Sequence, residues 1–327
     1  MRAVVLHSHG GPEVLTIETI DDPRPGPEEV VIDIAATALN RADLLQRMGF
    51  YPDPRGRVPE IPGLEFAGVV SEVGERVTMW HRGDRVMGIE AGGAYAERIA
   101  THERMLLRVP DAISLDDAAA IPEVFLTAWD ALVVQGGLTS GRWALVHAGA
   151  SGVGTAAIQI AAAIGARCAV TCSAGKAELC RSLGADLVFE RSPHSWLDDA
   201  MAAVPAGFDV VLDVVGGDEV DRNLRAVAQR GAVVQVGLMG GGRVPVDVGL
   251  LMARRSRWIG TTLRTRPLEE KVALTRRFAA EVLPLFESQR LRPVIDSRYE
   301  FDQIAEAHRR MESNANAGKI VVTISPR

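Results

Sequence analysis

A chain of 327 residues is long enough for two domains. Its 47 % hydrophobic and 24 % charged residues suit a folded globular protein and argue against a disordered or fibrous one. With 36 Lys+Arg against 42 Asp+Glu the formal net charge is −6, and no long basic stripe is present, so nucleic acid is not favoured as the main partner.

The opening "MRAVVLHSHGG" reads as a strand and turn, with one basic residue and no long apolar core, which argues against a signal peptide. From Met1 to about Pro110 the pattern stays strand-like. "EEVVIDIAATAL" and "EFAGVVSEVG" carry β-branched runs, separated by turn residues such as Pro23, Pro25, Gly26, Pro27, Gly83 and Asp84. An antiparallel, barrel-like β domain is expected here. "SLDDAAAIPEVFLTAWDAL" then reads as helix with an N-cap at Ser114, interrupted at Pro122.

Strands and helices alternate from "WALVHA" onwards. A helix through "GTAAIQIAAAIGA" follows, then "RCAVTC", "AGKAELCRSLGA", "DLVFE", "DVVLDVVG" and "GAVVQVG". The continuous apolarity of the short runs suits parallel strands buried on both faces, and the alternation predicts a doubly wound sheet. The small-apolar stretch Ala156–Ala166 contains Gln159 and is too short to span a bilayer. "LEEKVALTRRFAAEVLPLFES" and "FDQIAEAHRRMES" predict two helices, and "KIVVTI" a last strand.

"VHAGASGVGTAAIQIA" places Ser151 between glycines after an apolar run. A nucleophile elbow needs G-x-S-x-G, but the fifth position is Val153. A dinucleotide loop needs G-x-G-x-x-G between strand and helix. Gly149 and Gly154 supply its ends, and Ser151 takes the middle place, where a small residue lets the backbone approach a pyrophosphate. Gly152 and Val153 complete the loop, and the N–H groups that open the helix favour an anion. The βαβ frame favours this reading over a serine hydrolase.

The cysteines Cys168, Cys172 and Cys180 lack disulfide or zinc-site spacing and read as buried thiols. The lysines are Lys176, Lys271 and Lys319 in a chain rich in arginine, which singles each of them out. The basic cluster "ARRSRW", Arg254 to Arg257, reads as the flank of a strand near a subunit interface or as a solvated surface.

"ALNRADLLQRMGFY", "IPGLEFAGVV", "GDRVMGI", "GGAYAE", "AAAIPEVFLTAWDAL", "HAGASGVGTAAIQIA", "GLMGGG" and "AGKIVV" extend over nearly the whole chain. In these motifs it resembles the zinc-free quinone oxidoreductases of the medium-chain dehydrogenase/reductase superfamily, the zeta-crystallin-like group. Within them it looks closest to those inducible by a tumour-suppressor transcription factor. The resemblance implies an α/β fold class: a GroES-like β-barrel catalytic domain over residues 1–120, a Rossmann doubly wound parallel sheet over 121–263, and a segment 264–327 returning to the catalytic domain. It also implies a substrate cleft between the domains, a homodimer through the edge of the Rossmann sheet, NADPH as cofactor, a quinone as substrate and a cytoplasmic location.

Where the superfamily's zinc enzymes carry Cys, His and Cys, this chain has Asn40, Leu64 and about Glu123, and the cysteine-rich structural lobe is missing after "GDRVMGI". Asn and Leu do not rebuild a tetrahedral N/S site, so no metal is expected. Reduction of a simple ketone builds charge on an alkoxide that a metal would stabilise. Quinone reduction is driven by aromatisation and yields a delocalised phenolate, for which a hydrogen-bond donor suffices. Glu65 is expected to be a buried structural partner, Asp43 a hydrogen-bonding residue fixing its loop, and His147 to sit at a strand end beside the phosphate loop.

The resemblance sets Asn40 and Thr127 near the nicotinamide half of the cofactor, with Gly237, Leu238, Met239 and Gly240 of "GLMGGG" against it. It places Tyr51 over the quinone as orienter and proton donor, which with Asn40 makes up the expected catalytic pair. NAD-specific sites place an acid about 20 residues beyond the first glycine. Here that reaches Ala169–Lys176, which has none, while Ser173 and Lys176 offer a donor and a charge to a 2′-phosphate. Arg191 stands where the related reductases have tyrosine, and it can stack on adenine or pair with phosphate. Two other readings stay open: reduction of an activated C=C in an enone or 2-alkenal, and a cofactor-binding regulatory or RNA-binding protein with vestigial activity.

Overall fold

The computed structural model describes residues 1–54, 56, 60–191 and 196–324. The chain divides into two compact units: Met1–Glu123 with Arg264–Arg327, and Val124–Leu263.

Strands β1 (Arg2–Val5) and β2 (Thr16–Thr19) pair antiparallel and open the first unit. β3 (Glu29–Ala38) buries Val30, Val31, Ile32 and Ile34, so its β-branched run sits in a core on both faces. Helix α1 (Arg41–Arg47) starts where Asn40 is extended and the Asp43 carboxylate accepts the Asn40 N–H. Gly49, at φ 82°, follows it. β4 (Glu65–Val73), β5 (Arg85–Ile89), β6 (Arg98–His102) and β7 (Leu106–Arg108) continue the sheet. The predicted helix splits at Pro122 as expected: α2 (Leu115–Ala118) is capped by the Ser114 hydroxyl, and α3 (Pro122–Trp129) takes the proline at its first position, where no N–H is needed.

The second unit alternates β8 (Trp143–His147), α4 (Gly152–Ala163), β9 (Arg167–Cys172), α5 (Ala177–Ser182), β10 (Leu187–Glu190), α6 (Trp196–Ala203), β11 (Phe208–Asp213), α7 (Glu219–Ala226), β12 (Val227–Gln235), α8 (Val248–Arg254) and β13 (Arg257–Gly260). All ladders between these strands are parallel, in the order β10-β9-β8-β11-β12-β13. Counted along the chain this is 3-2-1-4-5-6, the Rossmann order. Arg254 and Arg255 end α8 and Arg257 begins β13.

The chain then forms α9 (Leu268–Glu281), α10 (Leu283–Glu287), β14 (Ile295–Glu300), α11 (Ile304–Glu312) and β15 (Lys319–Thr323). One helix was expected over α9 and α10. It breaks at Val282, because Pro284 has no N–H to continue the ladder. The first unit's sheet runs β14-β15-β3-β4-β5-β7, with β6 also on β3. It is mixed rather than wholly antiparallel: β15 pairs antiparallel with β3 but parallel with β14. The crossover through α11 returns the chain to the same end of the sheet, which makes the pair parallel. β14, "IDSRYE", has no fully buried position, and its polar sequence gave no strand signal.

Candidate active site

In the second unit, β8 lies between β9 and β11, at the point where successive connections run in opposite directions, so the loop after β8 sits where open α/β sheets hold ligands. A Cβ on Gly149 would stand 2.6 Å from the Val170 Cβ, and one on Gly154 would stand 2.4 Å from the Ala148 carbonyl oxygen. Gly149 is therefore required by the packing of the Val170 side chain on β9, and Gly154 by the close approach of the turn's own backbone. Ser151 is the cap of α4: its hydroxyl accepts the Gly154 N–H at 3.0 Å. The N–H groups of Gly152 and Val153 belong to the first turn, have no acceptor within the helix, and lie half-exposed.

The Arg191 N–H donates to the Cys172 carbonyl at 2.7 Å, so Ser173 and Arg191 leave neighbouring strands side by side. Both are exposed, and Lys176 is half-buried at the end of the turn Ala174–Lys176. Beneath the loop runs a buried polar strap. The Asn223 amide donates to Asp213 at 2.9 Å, which turns its oxygen towards His147. His147 Nε2 therefore donates to Asn223 at 2.6 Å, and Nδ1 accepts from the Thr171 hydroxyl at 2.9 Å. Asp213 also accepts the N–H groups of Val215 and Gly216, at 2.6 and 2.9 Å. Their loop is joined to the "GLMGGG" loop by Gly240 N–H to Val215 O at 2.7 Å and Gly217 N–H to Gly241 O at 3.0 Å. Gly237 is half-buried, Gly240 is exposed, and Leu238 and Met239 stand out at 60 % and 51 % exposure. Thr127 is half-buried on α3.

In the first unit, Asn40 is buried and its amide faces inward. Nδ2 donates to Glu65 at 2.9 Å and to the Ala38 carbonyl at 3.2 Å, while Oδ1 accepts from Lys319 Nζ at 2.6 Å. Lys319 also donates to the Leu39 carbonyl at 2.6 Å and pairs with Glu65 at 2.6 Å. The second Glu65 oxygen accepts the Glu123 N–H at 2.8 Å. Asn40 and Glu65 are thus gathered around an ammonium from β15, with the Glu123 N–H on the other oxygen of Glu65.

Asp43 lies behind them, fully buried, and accepts the Asn40 N–H at 2.7 Å and the Tyr95 hydroxyl at 3.0 Å. Burial pushes its carboxyl up to about 6. Burial, and then the Arg47 charge, push His308 down to about 3, so its ring is neutral. Arg47 has only donors, so His308 Nδ1 accepts from it at 3.3 Å and Nε2–H donates to the Tyr95 oxygen at 3.3 Å. Arg47 pairs with Glu312. Tyr51, on the loop after α1, is half-buried beneath the Arg264 guanidinium, which stands 4.5 Å over its ring. Among the described residues, no group of three or more His, Cys, Asp or Glu could hold a metal ion, and no helix is long and apolar enough to cross a membrane.

Two family models match: an alcohol dehydrogenase GroES-like domain over residues 26–111, and a zinc-binding dehydrogenase over residues 183–322. The quinone oxidoreductase of Lama guanicoe is 33 % identical over 333 residues, covering 99 % of this chain and 98 % of that one. The chain belongs to the medium-chain dehydrogenase/reductase superfamily. A synaptic vesicle membrane protein VAT-1 homolog of Rattus norvegicus is 30 % identical, covering 100 % of this chain and 85 % of its own. Among solved structures, the Escherichia coli quinone oxidoreductase complexed with NADPH superposes with a TM-score of 0.89 at 28 % identity, over 99 % of this chain and 100 % of that one.

This dehydrogenase/reductase is an oxidoreductase, and its GroES-like and Rossmann parts agree with the fold read from the sequence. Of the candidate residues, Gly149, Ser151, Gly152, Val153, Gly154, Ser173, Lys176, Arg191, Gly237, Leu238, Met239 and Gly240 come together at the carboxyl ends of the parallel strands. Asn40 and Tyr51 lie in the other unit, Asn40 just before α1 and Tyr51 on the loop that follows it. Sequence reasoning missed Arg264, which touches Tyr51, and gave Lys319 no role. The scarcity of lysine was the available signal for Lys319. Arg264 sits among many arginines and gave none.

Proposed function

We propose that this enzyme reduces quinones with NADPH and needs no catalytic metal. The observation that carries the cofactor reading is the group of strand ends around the α4 loop. Gly149 and Gly154 leave no room for a Cβ, and the first-turn N–H groups suit a pyrophosphate. Ser173, Lys176 and Arg191, with no acid between Ala169 and Lys176, suit a 2′-phosphate. NADPH in the related E. coli structure supports the same choice. Bound NADPH supplies the hydride.

The metal-free reading rests on the residues at the ligand positions. Asn40 is committed to Glu65 and Lys319, Leu64 is apolar, and Glu123 offers its N–H to Glu65. The carboxylate and amide that a cation would seek are already saturated by an ammonium. Asn40 then acts by shaping the start of α1, and Tyr51 is the group offered to the acceptor, with a flat face and one donor. A delocalised phenolate product needs no more than such a donor. The edge strand β13, with Trp258 at 40 % and neighbouring Met252 at 72 % exposure, supports a homodimer joined along that edge.

Steady-state kinetics with NADPH and NADH, against a quinone panel and an enone panel, test the reading. Quinones with NADPH should give the highest kcat/KM, and chelators should leave it unchanged. Lys176→Ala with Arg191→Ala should raise the KM for NADPH at least tenfold and leave that for NADH nearly constant, since a contact to a charged group is worth about 1.5–3 kcal/mol. Equal use of both nucleotides, or rates confined to enones, would overturn it.

A further inference from the structure

Arg264 is the first residue of the segment that returns to the first unit, and it is buried at 7 % exposure. Its three nitrogens reach three separate places. Nε donates to the Ala91 carbonyl at 2.7 Å, Nη1 to the Tyr51 carbonyl at 2.7 Å, and Nη2 to the Gln46 side chain at 2.8 Å. Its flat face lies over the Tyr51 ring at 4.5 Å. Gln46 is itself held on α1, buried, and donates to Glu60 at 2.9 Å. One guanidinium therefore fixes the end of α1, the loop that follows it and the loop after β5. It also fixes the tilt of the Tyr51 ring. Burial makes the charged form of Arg264 harder to hold, and an arginine kept there at that cost needs a compensating use.

We propose that Arg264 is a positioning residue that sets acceptor specificity, by clamping Tyr51 through its carbonyl and its ring face at once. The inference rests on the reading that Tyr51 meets the acceptor. A planar fork is required: lysine could reach one or two of the oxygens as a point charge but offers no face to stack on. Fixing the ring matters because a reacting group held about 1 Å from its proper place can cost a hundredfold in rate.

The test compares Tyr51→Ala, Arg264→Lys, Arg264→Met and the double variant Tyr51→Ala/Arg264→Met. Each is assayed with a small one-ring para-quinone and a larger polycyclic ortho-quinone at saturating NADPH. Quinone affinity is also read without cofactor, from quenching of tryptophan fluorescence. Arg264→Met should lower kcat/KM for quinone about tenfold, the equivalent of one charged hydrogen bond. It should change the ratio between the two quinones, weaken quinone quenching, and leave the KM for NADPH within about twofold. Arg264→Lys should shift the ratio in the same direction by less. The double variant should be no worse than Tyr51→Ala, because both act through one ring. A role confined to folding would scale both quinones together and leave their ratio unmoved. If Tyr51→Ala alone changes nothing, the reading of Tyr51 fails. If Tyr51→Ala is impaired and the Arg264 loss multiplies with it, or the quinone ratio stays constant, the positioning role fails. Should Arg264→Met not fold, the ratio in Arg264→Lys decides the question: a shifted ratio supports the role and an unchanged one overturns it.

Discussion

The glycine-rich loop before α4 and the start of α1 are built by opposite means. At Gly149–Gly154 the geometry comes from backbone: two glycines without room for a Cβ, one serine cap, and helix N–H groups left over. Around Asn40 and Tyr51 it comes from long charged side chains sent from the end of the chain, Lys319 across 279 residues and Arg264 across 213. The first kind of site tolerates little change in residue size but depends on no single charge. The second depends on every charge having its partner, because Lys319, Glu65 and Asp43 are all shut away from water.

The largest effect is expected from breaking the buried ion pair. Lys319→Met leaves Glu65 charged and unpaired, and should cost about 3–5 kcal/mol in urea unfolding. Adding Glu65→Gln should recover part of that loss. A single variant within about 0.5 kcal/mol of the parent would show that the pair is not what holds this region.

Gly154→Ala probes the backbone-built site. Forcing a methyl against the Ala148 carbonyl should cost about 1–3 kcal/mol and weaken NADPH binding in a fluorescence titration. Unaltered binding would mean that the loop yields easily, and the contrast between the two regions would weaken.

Acid separates two of the buried titratable groups of the first unit, Asp43 and His308. Asp43 has a folded value raised to about 6, so its ionised form costs stability: its contribution is best at low pH and is lost as pH rises from about 4 to 6. His308 is lowered to about 3, so its neutral form is favoured: its contribution is full above about 6.5 and is lost as pH falls towards 3. Between pH 4 and 6 the two slopes oppose, each up to about 1.4 kcal/mol per pH unit. Relative to the parent, Asp43→Asn should lose stability more steeply on acidification and His308→Gln less steeply, by urea unfolding at stepped pH. Parallel curves for all three proteins would refute these assignments.

Ser151→Ala should have the smallest effect. Loss of one cap hydroxyl costs about 1 kcal/mol. Melting temperature should fall by a few degrees while turnover persists, whereas abolished turnover would return Ser151 to a chemical role.

How far each region could be read in advance follows from the same contrast. The "GASGVG" loop lies on consecutive residues between a strand and a helix, so its spacing announced it, and the acid-free stretch to Lys176 followed from counting along one βαβ unit. Pro122 announced the break between α2 and α3 because a missing N–H is a local fact. β14 could not be read, since a polar hexapeptide becomes a strand only when β15 arrives beside it.

What the sequence alone determined is therefore local: the parallel-strand unit, the glycine-rich loop between β8 and α4, and the residue types, Asn and Leu, at positions 40 and 64. The partners of Asn40 and Tyr51 were decided by tertiary structure alone. Nothing near residue 40 or 51 indicates that Lys319 and Arg264 will supply the cations, because a hydrogen bond across more than 200 residues exists only once the returning segment has packed against β3 and α1. The inward turn of the Asn40 amide has the same origin. An asparagine read in isolation can donate to a ligand, and only the buried ammonium and carboxylate beside it commit both of its ends.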